Sequence, residues 1–314
     1  MPEITCIGSI GVDIVGSPID SLPPKGTLGS VERIELHTGG CAANTGMGLA
    51  ILGVDTAIIG KVGADTFGEY ILNRFRSQGV DTSAMVIGEA GATSATMVFV
   101  HSDGERSFRH FSGGNGTLAL EEIDRAKVLN SKILHIAGMM LMPSFDGVPC
   151  AQLLKEAQTA GVITTLDTAW DTSGRWGEIV VPCLPYTDYF LPSFEEAKML
   201  AKGQDTPEGM TRYFQDCGAK VVGIKMGAQG CYFRAATGDT FTTPAIKVDV
   251  VDTLGAGDAF MAGFLTALHR GWSLEQCATF AVTVGGCCVQ ALGATTGLRG
   301  FVETLDLMER ANRG

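Results

Sequence analysis

The clearest pattern in the chain is an alternation of short apolar runs with stretches of helical periodicity. Continuous apolar runs of this length predict strands that are buried on both faces. Such strands are typical of a parallel sheet with helices packed on each side. We therefore predict an α/β fold, a three-layer α/β/α sandwich with a mostly parallel central sheet. The predicted buried strands are residues 4–9, 56–60, 133–137, 162–166, 189–191 and 221–224.

Other segments alternate differently and are predicted to lie outside that sheet. Residues 31–36 alternate apolar and polar positions, which is typical of a strand with one wet face. Residues 93–101 and 107–111 flank Asp103-Gly104, a dipeptide that suits the tight turn of a hairpin. We predict a single domain with a small β-sheet lid. The domain spans residues 1–314, and the lid segments are approximately 12–36 and 92–112.

Several helices are predicted from the residues at their starts. Gly39-Gly40 precedes a run of small residues, and Asp65 is a plausible N-cap. Ser273 and Gln276 have the spacing of a capping box. The predicted helices are 42–52, 67–78 and a stretch from Ser273 to about Leu292, and a second hairpin is predicted at 231–234 and 240–243.

The most informative stretch is a glycine turn between a β-branched run and an apolar helix. We predict a strand over 248–251, a turn that contains Gly255 and Gly257, and a buried helix over 259–268. A helix start of this kind attracts anions through its free amides and its dipole. Asp258 lies at that helix start. It is either an N-cap after a tight turn, or a base that takes a proton from a hydroxyl beside a phosphate cradle.

Composition and charge narrow the class of function. The formal net charge of −11 argues against a nucleic acid or an anionic membrane as partner. Nine cysteines without a C-x-x-C pair are typical of buried thiols in a reducing compartment. The first residues have no cationic leader or signal-like apolar core, and no apolar run reaches membrane-spanning length. We therefore expect a cytoplasmic protein.

The stretch Asp252-Thr253-Leu254-Gly255-Ala256-Gly257-Asp258 resembles the C-terminal signature of the PfkB (ribokinase-like) carbohydrate kinases. Other motifs resemble that family in the same order along the chain, so the resemblance runs nearly end to end. They are residues 37–46, 63–68, 193–196 and 224–230. The resemblance implies a ribokinase-like fold and an enzyme that phosphorylates a hydroxyl of a sugar-like molecule with ATP.

The resemblance also implies roles for individual residues. Asp258 is expected to be the catalytic base, and the amides of Gly255, Ala256, Gly257 and Asp258 an anion hole for the transferred phosphoryl group. The residues expected to hold the sugar's hydroxyls are Asp13, Gly39, Gly40 and Asn44. Arg109 on the lid hairpin is either a further substrate contact or a solvated charge of an edge strand.

On the nucleotide side, Ser193 and Glu196 have capping-box spacing, and many relatives have Asn-x-x-Glu there. The resemblance implies that Glu196 positions Mg²⁺ through water. Lys225, Gly227 and Gly230 resemble the nucleotide loop, although Lys225 also fits an ordinary solvated lysine. Asp252, with residues 293–297, is implied as a site for a monovalent cation such as K⁺. In the family the lid is often the dimer interface, so we expect a homodimer.

The substrate stays open between three classes. Ribokinases carry a substrate-contacting Glu at about the position where this chain has Gly138, so that contact is absent here. Kinases of 2-keto-3-deoxy sugar acids show Asp-x-Asn-x-Arg at 167–171, a motif that this chain lacks, and Arg106 or Arg109 would have to replace its arginine. Nucleoside kinases fit if Phe108 and Phe111 stack on a base.

Two alternatives come from other classes of protein. A catalytically silent sugar- or nucleotide-binding regulator need not keep Asp258 and Glu196, so their presence argues against one. A Rossmann dehydrogenase needs G-x-G-x-x-G after the first strand, and residues 8–11 do not continue that spacing.

Overall fold

A computed structural model describes residues 2–89, 91–103 and 105–311 of the chain. The described strands are β1 (Ile4–Gly8), β2 (Gly11–Ser17), β3 (Arg33–Gly39), β4 (Thr56–Ile59), β5 (Lys61–Gly63), β6 (Val86–Gly88), β7 (Ala95–Val100), β8 (Arg106–Phe111), β9 (Ile133–Met139), β10 (Ile163–Thr168), β11 (Tyr189–Phe190), β12 (Val221–Lys225), β13 (Cys231–Arg234) and β14 (Thr240–Thr243). The described α-helices are α1 (Cys41–Ile51), α2 (Thr66–Ser77), α3 (Arg125–Leu129), α4 (Val148–Thr159), α5 (Gly177–Val180), α6 (Phe194–Leu200), α7 (Pro207–Asp216), α8 (Ala256–His269), α9 (Leu274–Cys288) and α10 (Phe301–Ala311).

The main sheet has eight strands in the order β14-β13-β12-β11-β10-β9-β1-β4. The strands from β12 to β4 pair in parallel, and β13 and β14 are antiparallel additions at one edge. The predicted α/β fold with a mostly parallel sheet is therefore confirmed. Because parallel strands end together, the segments after β1, β9, β10 and β12 meet at one edge, where ligands bind in such sheets.

Side chains of each central strand pack alternately into two hydrophobic cores, one on each face. Ile4 and Cys6 of β1 belong to the core formed with α1, α2, α8 and α9, whereas Ile7 belongs to the core formed with α4, α6 and α7. In the first core Phe264 of α8 stacks on Phe233 of β13 with ring centroids 5.6 Å apart. Burial on both faces explains why these strands are apolar throughout.

A separate four-stranded sheet has the order β3-β2-β7-β8 and comes from the two segments predicted to form the lid. Asp13 is paired with His37 and Thr96, and Thr96 with His110, so these side chains share one face, which we call the inner face. The next row, which includes Met97, lies on the opposite, outer face. Gly104, in the predicted hairpin turn, lies outside the described residues.

Two boundaries differ from the sequence prediction. The predicted strand over 248–251 is wrong, because the amides of Val251 and Asp252 donate to the carbonyl of Val289 at the end of α9 and not to a neighbouring strand. Among the residues that the structure describes, the β-branched run therefore has no pairing partner, and Val251 is exposed. Helix α9 ends at Cys288, short of Leu292, because the chain bends where Val289 takes these bonds. Among the described residues, no helix has the length and apolarity needed to cross a membrane.

Candidate active site

The start of α8 presents backbone amides that are not used within the fold. Within the described parts of the chain, the amides of Gly255, Gly257 and Asp258 have no hydrogen-bond partner, whereas the amide of Ala256 donates to the carbonyl of Thr253 at 3.3 Å. Three of the four amides predicted to form the anion hole are thus free, and that of Ala256 is engaged. Free amides at the positive end of a long helix stabilise an anion.

Gly255 is required at this helix start for two reasons. Its φ of 75° lies in the left-handed region, which side chains rarely adopt. A Cβ at this position would also overlap Ala294, so the turn packs directly against the loop that follows α9. The shape of the anion hole therefore depends on residues far away in sequence.

Asp258 is held at the same helix start by side chains of α1. Its Oδ2 accepts a hydrogen bond from Asn44 Nδ2 at 2.8 Å, and its backbone carbonyl accepts one from Thr45 Oγ1 at 3.3 Å. Burial raises the pKa of Asp258 to about 6, although the bond from Asn44 and the charge of Lys225 act in the opposite direction. The carboxylate is thus largely ionised at neutral pH and still basic enough to accept a proton.

Asn44 has a second polar atom for a ligand. Its Oδ1 is buried and has no hydrogen-bond partner among the residues described. A buried amide oxygen without a partner costs free energy unless a ligand or water donates to it. A substrate hydroxyl beside Asp258 would supply that donor.

The predicted residues Asp13, Gly39 and Gly40 lie together next to the start of α1. A Cβ at Gly39 would lie 2.5 Å from Asp13 Oδ2, so glycine leaves room for that carboxylate. Gly40 is the N-cap of α1. Burial raises the pKa of Asp13. These groups form a polar region under the inner face of the lid.

The nucleotide side contains a buried ion pair that the sequence did not predict. Lys225 Nζ, at the end of β12, lies 2.7 and 2.6 Å from the two carboxylate oxygens of Asp167, at the end of β10. Although burial alone would lower it, the pKa of Lys225 is raised by Asp167 and Glu196. A Cβ on Gly257 would lie 3.4 Å from Lys225 Nζ. The ammonium group is therefore beside the anion hole, and the alternative of a solvated lysine is wrong.

Glu196 and Ser193 form the predicted capping box of α6. Glu196 Oε2 accepts bonds from the Ser193 amide at 3.0 Å and from Thr168 Oγ1 at 2.9 Å. The structure places no group of three or more metal-binding side chains together among the described residues. A magnesium ion here would therefore take most of its ligands from phosphates and water, which is usual for Mg²⁺.

A cleft of about 450 Å³ adjoins this capping box. It is lined by Ser193, Phe194, Glu195, Lys225, Met226, Gly227 and Gln229. Gly230, which was predicted with Gly227, is not among the lining residues. A Cβ at Gly230 would collide with the carbonyl of Thr243, so its role is to let the chain turn into β13.

The lid arginines differ from the prediction. Arg109 is exposed and pairs across the sheet with Met97, so its side chain lies on the outer face, away from Asp13. Arg106 is three positions earlier and therefore lies on the inner face, where it lines a pocket with Asp13. Phe111 also lies on the outer face, whereas Phe108 lies on the inner one, so the two rings cannot stack on one base.

Asp252 does not fit the implied monovalent cation. Its Oδ1 accepts the Leu254 amide at 2.8 Å and lies 2.7 Å from Arg106 Nη2, and its Oδ2 accepts the Gly293 amide at 2.8 Å. The positive charge beside this carboxylate is thus the guanidinium group of Arg106.

The chain is similar to known proteins over most of its length. A family model described as pfkB family carbohydrate kinase matches residues 1–299. The chain is 31% identical to an uncharacterized sugar kinase of Archaeoglobus fulgidus over 80% of this chain and 98% of the relative. It is 30% identical to an ATP-dependent ribose-1-phosphate kinase of Halopiger xanaduensis over 94% of each chain. An Arabidopsis thaliana ribokinase solved with ribose and ATP superposes with a TM-score of 0.85, at 26% identity, covering 98% of this chain and 99% of that one.

The packing of Gly255 predicts a large effect of one methyl group. Gly255→Ala is expected to lower the free energy of unfolding by about 3 kcal/mol, because it adds a clash with Ala294 to the cost of a left-handed alanine. Gly271→Ala is the matched control, since Gly271 has the same φ of 75° but no atom within 4 Å of the added Cβ. The control should lose only about 1 kcal/mol. If urea denaturation shows equal losses of unfolding free energy for the two variants, the contact between Gly255 and Ala294 would be contradicted.

Proposed function

Because the chain belongs to the PfkB family of carbohydrate kinases, we propose that it transfers the γ-phosphoryl group of ATP to a hydroxyl of a neutral sugar, with Asp258 as the general base. The supporting observation is that Asp258 lies among free amides at the start of α8 while Asn44 holds its carboxylate. Phosphoryl transfer to a hydroxyl requires a base for the proton and a site that stabilises the phosphoryl charge. A carboxylate and free amides at one helix start can provide both.

Each group has a distinct task in this proposal. Asp258 accepts the proton of the attacking hydroxyl as the bond to phosphorus forms. The amides of Gly255, Gly257 and Asp258 stabilise the negative charge on the transferred group. Asn44 Nδ2 fixes the carboxylate of Asp258, and its free Oδ1 accepts a bond from the sugar.

A neutral sugar is proposed because every cation that lines the pocket under the inner face of the lid is already paired. Arg33 Nη1 lies 3.4 Å from Glu35, and His37 Nε2 lies 2.9 Å from the same side chain. Arg106 is paired with Asp252. With Asp13 also present, the pocket has no spare positive charge for a carboxylate or a phosphate on the substrate. This argues against a sugar acid, and the separated phenylalanines argue against a nucleoside.

The residues around the cleft fit ATP with Mg²⁺. Mg²⁺ would neutralise phosphate charge when it is bound. Glu196, with its capping-box geometry, would hold a water of that ion, and Ser193 and Gly227 would line the phosphate path. Lys225 would approach the transferred group from beside Gly257.

We also propose a homodimer through the outer face of the lid. Apolar side chains are exposed there on adjoining strands, and a second copy of the chain would cover them. The exposed residues are Ile34, Leu36, Met97 and Phe111. Sedimentation velocity tests this proposal, and a monomer at micromolar concentration would reject it.

The proposed function is tested by an ADP-release assay over neutral sugars, sugar acids, sugar phosphates and nucleosides. We expect turnover with at least one neutral sugar and much weaker turnover with the anionic and nucleoside substrates. Preference for a sugar acid or a sugar phosphate would reject the argument from paired cations. Absence of ADP release with every compound would favour the regulator.

Asp258→Asn is expected to reduce kcat by about a hundredfold or more, because asparagine keeps the size of the side chain but cannot accept the proton. The KM for the sugar should change less than kcat. Below the raised pKa of about 6, protonation of Asp258 removes the base, so wild-type kcat should fall as the pH drops through about 6. A folded variant with near-normal kcat, checked by its melting temperature, would rule out this role.

Glu196→Gln is expected to raise the Mg²⁺ concentration for half-maximal turnover while the KM for the sugar stays nearly constant. The reason is that Glu196 bonds Ser193 and Thr168 beside the cleft, and within the described residues it has no hydrogen bond to a residue proposed to hold the sugar. Glu69→Gln is the control, because Glu69 is an exposed acid in the first turn of another helix, α2, and does not line the cleft. A changed sugar KM at unchanged magnesium dependence would contradict the assignment.

A further inference from the structure

We propose that Arg106 is a built-in cation for Asp252, so that the lid, and not a monovalent metal ion, completes the turn that carries the anion hole. This inference rests on the proposed function. It assigns to Arg106 a positioning role, since it acts on the transferred phosphoryl group only through Asp252 and the turn. The sequence did not predict that Arg106 and Asp252 bind each other.

The first observation is the environment of the Asp252 carboxylate. Its side chain is 2% exposed, and both oxygens are bonded, to the amides of Leu254 and Gly293 and to Arg106. Although burial acts in the opposite direction, Arg106 and the two amides lower the pKa of Asp252. The group is therefore an ionised, buried carboxylate at neutral pH.

A counter-charge beside a buried carboxylate repays part of its lost hydration, which two amide dipoles do only incompletely. Within the described residues, Arg106 is the one Lys, Arg or His side chain within 4.0 Å of Asp252. Its side chain is only 20% exposed, so the pair is poorly screened by solvent. A monovalent cation at Asp252 would be repelled by this guanidinium group.

The bonds of Asp252 lead directly to the anion hole. The Leu254 amide that bonds Asp252 immediately precedes Gly255, whose free amide is the first of the anion hole. The Gly293 amide that bonds Asp252 precedes Ala294, against which Gly255 packs. The carboxylate therefore fixes both sides of the contact that sets the geometry of the helix start.

Arg106 reaches this carboxylate from the lid. It is the first residue of β8, and β8 pairs only with β7 in the lid sheet. The ion pair is consequently a link between the lid and the turn of the catalytic Asp258. With the lid displaced, Asp252 would lose its counter-charge and the turn its fixed position. The position of the lid and the geometry of the anion hole are thus coupled.

The test is a double-mutant cycle with Arg106→Ala, Asp252→Asn and the double variant. We expect each single variant to reduce kcat about tenfold or more and the melting temperature by about 3 °C or more. The losses of kcat and of melting temperature in the double variant should be no greater than those of the more affected single variant, because both changes remove the same ion pair. Wild-type kcat and melting temperature should agree within about twofold and about 1 °C when K⁺ is replaced by tetramethylammonium at equal ionic strength.

Two further measurements separate this role from others. If Arg106 instead bound the sugar, Arg106→Ala would raise the KM at nearly constant kcat, which would overturn the proposal. Arg212→Ala is the control for loss of a surface arginine, since Arg212 pairs with Glu208 at 3.3 Å with both side chains exposed, and it should leave kcat unchanged.

Additive effects in the cycle, or a wild-type kcat or melting temperature that rises with K⁺, would also overturn the proposal. The melting temperatures need no substrate, so the pair is tested even if the assay finds no kinase activity. Should Arg106→Ala fail to fold, Arg106→Gln gives the same cycle with less change in volume.

Discussion

The start of α8 imposes the constraint on which the rest of the site depends: a carboxylate must stay ionised and basic inside a protein. Burial disfavours the charge of Asp258, while the free amides, the helix dipole and the bond from Asn44 favour it. The bond from Thr45 to the carbonyl of Asp258 further ties α1 to this helix start. Two helices far apart in sequence are therefore packed so that one supplies the Asp258 carboxylate and the other fixes it.

Local signals in the sequence were sufficient for much of the fold and part of the site. The capping boxes at Ser193 and Ser273 were predicted correctly, because their bonds span only three residues. The same holds for the glycine turn before α8 and for the buried parallel strands, whose apolar runs follow from burial on both faces. The signal is local in each case, although the glycine turn also packs against Ala294 and the strands pair with partners far away in sequence.

Features that depend on distant partners could not be predicted. The choice between Arg106 and Arg109 depends on which face of β8 points inward, and that is set by pairing with β7 and β2. The bond between Lys225 and Asp167 joins two strands, and the residues are 58 positions apart. The position of each residue at a strand end indicates a ligand site, but it does not indicate that the two residues bind each other. The β-branched run at 248–251 has strand propensity but no partner strand, so propensity alone was misleading there.

The pairing of cations explains how an acidic protein can handle phosphates without holding them too tightly. Lys225 is bonded to Asp167, Arg106 to Asp252 and Arg33 to Glu35, so no side-chain cation that we assign to the site is unpaired. In our proposal the negative charge of the transferred group is stabilised by backbone amides and by the metal that accompanies ATP. Amides bind an anion only where their geometry fits it, whereas a free lysine attracts substrate, transition state and product alike. A site of this kind favours the transition state over the ground state, which is the condition for rapid turnover.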